Sequence, residues 1–117
     1  MGLRQDRLAD QIRDVLAQCF QAGAMNDPRL TKVTITRVKV TSDLQLATIY
    51  FRLYADVDKE LDKTKKEALK GLGSSKGYLR NKLASYLTVR RIPNLRFFYD
   101  DSQDKVEKIE SLLRDIK

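Results

Sequence analysis

The 117 residues are 42% apolar and 33% charged, with five glycines and two prolines, which excludes a fibrous or linker-like chain and leads to the expectation of one globular domain over residues 1–117. With no histidine and a single cysteine, the chain cannot build His-based triads, Cys–His pairs, two-His metal centres or an internal disulfide. Lys and Arg number 23 against 16 Asp and Glu, a net charge of +7 that suits an anionic partner.

The excess is concentrated. Residues 59–91 hold ten bases (Lys59, Lys63, Lys65, Lys66, Lys70, Lys76, Arg80, Lys82, Arg90 and Arg91) against Glu60, Asp62 and Glu67, and the rest of the chain is balanced. From residue 76 to 91 there is no acid at all. No glycine-rich phosphate cradle and no EF-hand spacing is present, so no cofactor, metal or small-molecule substrate is expected, and a binding protein is favoured over an enzyme. The longest uncharged stretch, residues 15–26, falls well short of the roughly 20 apolar residues that span a bilayer. With Arg4, Asp6, Arg7 and Asp10 in place of a signal core, and with one cysteine, the expected compartment is the cytoplasm.

In chain order, Leu8, Ile12, Val15, Leu16, Cys19 and Phe20 recur at helical spacing and predict a first helix over residues 4–22, with Gly23 as its C-terminal cap and Asn26-Asp27-Pro28 as a turn. Residues 32–40 are β-branched and alternating, but their phase slips. Val33 and Ile35 point one way, Val38 and Val40 the other, so a bulge is expected near Thr36-Arg37. Residues 45–54 form a second strand of the same hairpin, with Ala47, Ile49, Phe51 and Leu53 inward and Thr48, Tyr50, Arg52 and Tyr54 outward.

Leu61, Ala68, Leu69 and Leu72 then give helical spacing, interrupted at Gly73-Ser74-Ser75-Lys76-Gly77 and resumed by Leu79, Leu83, Tyr86 and Leu87. Two helices joined by a sharp kink are expected, with Ser75 and Gly77 as the kink residues. A third strand over residues 95–99 follows Pro93, and Ser102 is read as the N-cap of a last helix carrying Val106, Ile109, Leu113 and Ile116. The expected class is therefore α+β, in the order α-β-β-α-α-β-α, with a three-stranded sheet and helices on one face.

This order resembles a type II KH domain, although the junction has three residues between its glycines where a GXXG loop has two. The wording is more specific. Asp27-Pro28-Arg29-Leu30, then Val33-Thr34-Ile35-Thr36-Arg37-Val38-Lys39-Val40, Asp43-Leu44 and Ala47-Thr48-Ile49-Tyr50-Phe51 are followed by Lys76-Gly77-Tyr78-Leu79-Arg80. Pro93-Asn94-Leu95-Arg96-Phe97-Phe98-Tyr99-Asp100, Ser102 and Ile109-Glu110-Ser111-Leu112-Leu113 complete an ordered set. Together, over residues 4–113, they resemble the bacterial ribosome-binding factor A family. Two departures stand out: the family's Ala-x-Gly kink reads Ser75-Lys76-Gly77 here, and Asp104 and Val106 stand where glycines often follow the serine matching Ser102.

The resemblance implies a monomeric, non-catalytic KH-like assembly factor for the free small (30S) ribosomal subunit and its 16S rRNA. Members assist late maturation and 5′-end processing of that RNA and matter most in the cold. The alternatives are a general single-stranded nucleic-acid binder and a basic protein–protein adaptor; competition between ribosomal RNA and unrelated duplex DNA separates the first of these from an assembly factor.

Charge segregation and the family together place RNA binding on Lys76, Gly77, Arg80, Lys82, Arg90 and Arg91. Arg4, Arg7, Lys66, Lys70 and Tyr78 are secondary candidates, and Lys63, Lys65 and Lys66 also fit a solvated helix face. The Tyr50, Arg52, Tyr54 stripe reads as half-exposed surface rather than a stacking platform, because KH-like folds meet RNA beside the kink. Cys19, on the apolar face, reads as an inert buried thiol. Asp100, Asp101 and Asp104 read as acids favouring a helix N-terminus rather than as a Mg²⁺ site.

Overall fold

Leu8, Ala9, Ile12, Val15, Leu16 and Cys19 form one stripe of the first helix, and all six are buried where it lies on the sheet. The structure is a computed structural model that describes residues 3–21, 27–53, 61–102, 109–110 and 112–114. Its elements run α1 (Leu3–Gln21), a 3-10 turn (Pro28–Leu30), β1 (Val33–Val40), β2 (Leu46–Leu53), α2 (Leu61–Ser74), α3 (Lys76–Tyr86) and β3 (Asn94–Tyr99). The expected Gly23 cap, Tyr54, and most of the expected last helix lie outside the described residues.

The sheet has the order β1-β2-β3. β1 and β2 pair antiparallel, as the hairpin reading expects, with the register shifting between Ile35 and Arg37 at the expected bulge. β3 pairs parallel to β2, making the sheet mixed. A helical crossover through α2 and α3 returns the chain to the same end of the sheet, which is what a parallel neighbour requires.

The bulge brings Val33 and Val40 to the helix side of the sheet together, where Ile35 and Val38 pack beside them. With them on that side are Ala47, Ile49, Phe51 and Leu53 from β2, and Leu95 from β3. One cluster joins α1, the sheet and Leu79, Leu83 and Leu87; a second joins Phe51, Leu53, Ala68 and Leu72 to Leu30 of the 3-10 turn. Cys19 is buried, and burial raises its thiol pKa, opposed by the nearby Lys82 ammonium. That fits the inert reading.

Asp27-Pro28-Arg29-Leu30 acts structurally. Asp27 accepts the Arg29 backbone N–H at 2.9 Å and pairs with the Arg29 guanidinium, its Oδ2 lying 2.7 Å from Nη2. This rigid turn presses against Gly71 of α2. A Cβ there would stand 3.0 Å from Leu30 Cδ2, 3.2 Å from Asp27 Oδ2 and 3.3 Å from Arg29 Cβ. Gly73, two residues on, has nothing within 4 Å.

Asp100, just past β3, is only 8% exposed and fastens the bulge. The Thr36 hydroxyl lies 2.6 Å from Asp100 Oδ2 and 3.2 Å from the Tyr50 carbonyl, so its single proton goes to the closer, charged acceptor. The other carboxylate oxygen accepts the Ser102 backbone N–H at 3.0 Å and its hydroxyl at 2.6 Å. Arg52 Nη1 donates to the Asp100 carbonyl at 2.7 Å. Ser102, expected as an N-cap, donates its hydroxyl to the Asp100 carboxylate, and the first turn expected after it lies outside the described residues.

These donors hold the Asp100 carboxyl at a pKa of about 2, the Ser102 hydroxyl foremost and Thr36 next. A pKa depressed in the folded state adds stability that is present above about pH 4 and fades as the pH falls toward 2. Asp100→Ala should therefore cost about 2–3 kcal/mol in urea unfolding at pH 7, with the gap to the parent chain narrowing as the pH is lowered toward 2. The two α2 glycines should respond with opposite signs. Gly71→Ala should lower the melting temperature by overpacking the turn, whereas Gly73→Ala should raise stability by up to about 1 kcal/mol.

Candidate nucleic-acid interface

The kink is a single residue. α2 ends at Ser74 and α3 begins at Lys76; between them Ser75 has φ −93° and ψ −1°. Its N–H is shared between the Gly71 and Leu72 carbonyls, both at 3.1 Å, while its own carbonyl accepts from Leu79 N at 2.9 Å. The helical hydrogen bonding thus passes through the bend with one three-centre bond. The Ser75 hydroxyl makes no capping bond.

Gly77 differs from its expected part. It is an ordinary helical residue in the first turn of α3, with no positive φ, and nothing lies within 4 Å of where its Cβ would be. The bend does not require glycine there. What Gly77 contributes is bare, exposed backbone beside Lys76.

Lys76 and Arg80 stand one turn apart on the exposed side of α3. Arg80 also has a packing role, since its Nη2 donates to the Ile92 carbonyl at 3.1 Å and ties α3 to the segment that leads into β3. Tyr78 and Lys82 form another pair on α3, the ammonium 5.6 Å from the ring centroid. Tyr78 is exposed and Lys82 half-buried toward Cys19, so Lys82 flanks the Lys76–Arg80 face instead of joining it.

Arg90 and Arg91 lie exposed on the segment between α3 and β3. They line an open recess of about 540 Å³ together with Arg4 of α1 and with Asp43 and Leu44 of the β1–β2 turn. Asp43 accepts from Thr41 Oγ1 at 2.6 Å and from Gln45 N at 3.0 Å, which holds the turn and allows Leu44 its φ of 61°. The expected cationic edge therefore has two centres, Lys76–Arg80 and Arg4–Arg90–Arg91, linked by the Arg80–Ile92 hydrogen bond. Arg7 is exposed on α1 but does not line the recess.

Lys63, Lys66 and Lys70 share the exposed side of α2. Lys65, read from sequence as solvated, is half-buried with its Nζ 4.1 Å from the Tyr99 ring centroid. Among the described residues no cluster of three or more acids and cysteines could hold a metal, and no helix is long and apolar enough to cross a membrane. On the far side of the sheet Tyr50, weighed from sequence with Arg52 and Tyr54, joins a group with Arg37, Arg96 and Phe98, which sequence reasoning did not single out. Tyr50 meets Phe98 at 6.3 Å between ring centroids, with Arg37 Cζ 4.2 Å over Tyr50 and Arg96 Cζ 5.0 Å over Phe98. The alternation of Leu95, Phe97 and Tyr99 with Arg96 and Phe98 was the available signal.

A mixed three-stranded sheet with a helix pair kinked at one residue and cations beside the bend makes this an α+β fold, consistent with the expected KH-like order. The model of the family described as Ribosome-binding factor A matches residues 4–113. A Ribosome-binding factor A of Pelobacter propionicus is 42% identical over 99% of this chain and 90% of its own length, and that of Macrococcus caseolyticus 33% identical over 99% and 96%. The crystal structure of ribosome-binding factor A from Thermus thermophilus superposes with a TM-score of 0.68 at 26% identity, over 81% of this chain and 93% of that one. The chain belongs to the ribosome-binding factor A family.

The open space above Gly77 yields a prediction. Gly77→Ala should leave the fold intact and raise its thermal stability, since alanine is the better helix former by up to about 1 kcal/mol. A lowered melting point would show that the bend needs glycine after all.

Proposed function

We propose that this protein binds the free small ribosomal subunit through its 16S ribosomal RNA and acts as an assembly factor in late maturation and 5′-end processing. It works by binding rather than by turnover, as one KH-like monomeric unit in the cytoplasm. The observation that carries this reading is the acid-free run of residues 76–91, which the fold spreads over the exposed side of α3 and the segment after it. Phosphate contacts from such a surface dominate affinity and make it salt-dependent. Lys76, Arg80, Arg90 and Arg91 supply charge, Gly77 supplies approachable backbone, and Lys82 and Tyr78 flank them. Arg4, Arg7, Lys66 and Lys70 extend the same electropositive surface. In support, a Thermus thermophilus ribosome binding factor A has been fitted, as a homology model, into the map of a 30S–RbfA complex, and it superposes on this chain with a TM-score of 0.65 at 26% identity, over 84% of this chain and 97% of its own.

Sedimentation of cell extract tests the partner: the protein should migrate with free small subunits and be absent from translating ribosomes. Titration tests the surface. The pair Lys76→Ala with Arg80→Gln, in which glutamine keeps a donor for the Ile92 carbonyl, should lower the slope of log K against log salt by about 0.7 for each phosphate that is no longer held. The pair Arg13→Ala with Lys32→Ala, both exposed and outside this surface, should leave it unchanged. Equal effects from both pairs would move the binding surface elsewhere.

A further inference from the structure

The side of the sheet away from the helices combines cations with aromatic rings. None of the three strands contains an acid. Across the sheet at one register stand Arg37, Tyr50 and Phe98, and two residues along each strand stand Lys39, Thr48 and Arg96. Phe98 is 42% exposed on the edge strand β3, and Arg37, Lys39 and Arg96 are exposed.

The cations and rings are already organised. Tyr50 and Phe98 lie 33° apart in plane, and each carries a guanidinium, Arg37 at 4.2 Å and Arg96 at 5.0 Å from the ring centroid. Aromatic rings and guanidinium planes are both surfaces on which unstacked bases settle. Backbone phosphates are drawn by the same arginines and by Lys39. A folded duplex hides its base faces and offers phosphate alone, so rings flanked by cations select single strands.

We propose that this open sheet face is a second RNA-binding surface, in which Tyr50 and Phe98 stack bases of a single-stranded segment while Arg37, Arg96 and Lys39 hold its backbone. The proposal rests on the reading that the partner is ribosomal RNA. It adds a contact on the opposite side of the sheet from α2 and α3, so that the protein grips two RNA segments at once. The kink side engages phosphate; the sheet side reads unpaired bases.

The test is NMR titration of the ¹⁵N-labelled full chain with a 12-nucleotide oligo-uridine, a 12-base-pair RNA duplex and a 12-residue oligo-glutamate. Amides of Arg37, Thr48, Tyr50, Arg96 and Phe98 should shift with the single strand and move far less with the other two. The pair Tyr50→Leu with Phe98→Leu, which keeps apolar bulk without rings, should weaken oligo-uridine binding at least tenfold. Arg37→Glu with Arg96→Glu, both at exposed positions, should do the same and serves if the first pair unfolds. Shifts confined to residues 76–91, an equal response to oligo-glutamate, or wild-type affinity in the folded variants would overturn the proposal. Small-subunit sedimentation, run on the same proteins, separates the two readings. Parent chain on the subunit with a silent sheet face sinks this inference alone, while failure to sediment with the subunit sinks the functional reading.

Discussion

The arrangement depends on one extra residue in β1. A strand alternates its side chains with a period of two, so a slip of one residue would turn half of the apolar positions of β1 toward water. Thr36 absorbs that slip as a bulge and lets Val33 and Ile35 face the helices together with Val38 and Val40. An unpaired bulge residue is a weak point, and here the Asp100 carboxylate holds it from the far end of β3, 64 residues away in sequence. The same carboxylate takes both Ser102 donors, and Arg52 holds the adjacent carbonyl. One buried anion thereby ties β1 and the exit of β3 together, with Arg52 of β2 fastened to its backbone.

The helix layer depends on a second constraint of close approach. The Asp27–Arg29 turn lies so near α2 that a side chain at 71 would crowd Leu30, Asp27 and Arg29, and α2 there packs on Phe51 and Leu53. With α2 seated, the bend at Ser75 sets the course of α3, and Arg80 then draws the segment before β3 against it. Several cations of the basic stretch consequently serve the fold as well as the surface. Lys65 covers Tyr99, Lys82 borders Tyr78 and Cys19, and Arg80 binds a backbone carbonyl, while Lys76, Arg90 and Arg91 remain exposed. Charge alone does not distinguish these roles.

Much of this was determined by the sequence itself. The order of the elements from α1 to β3, the bulge and the kink follow from periodicities of 3.6 and 2 and from the places where they break. These are local properties, and residues such as Val33, Val38, Leu72 and Leu79 display them directly. The concentration of positive charge is likewise a property of the string, and the ordered motifs identify the family. Only the tertiary structure decided which residues meet across long separations. Periodicity places a side chain on a face but carries no information about its partner. The parallel pairing of β3, the Asp100–Thr36 contact, the clearance above Gly77 and the gathering of Arg4 with Arg90 and Arg91 all depend on that. So does the row of Arg37, Tyr50 and Phe98, whose members come from three strands and become neighbours only when hydrogen-bond register is set between them.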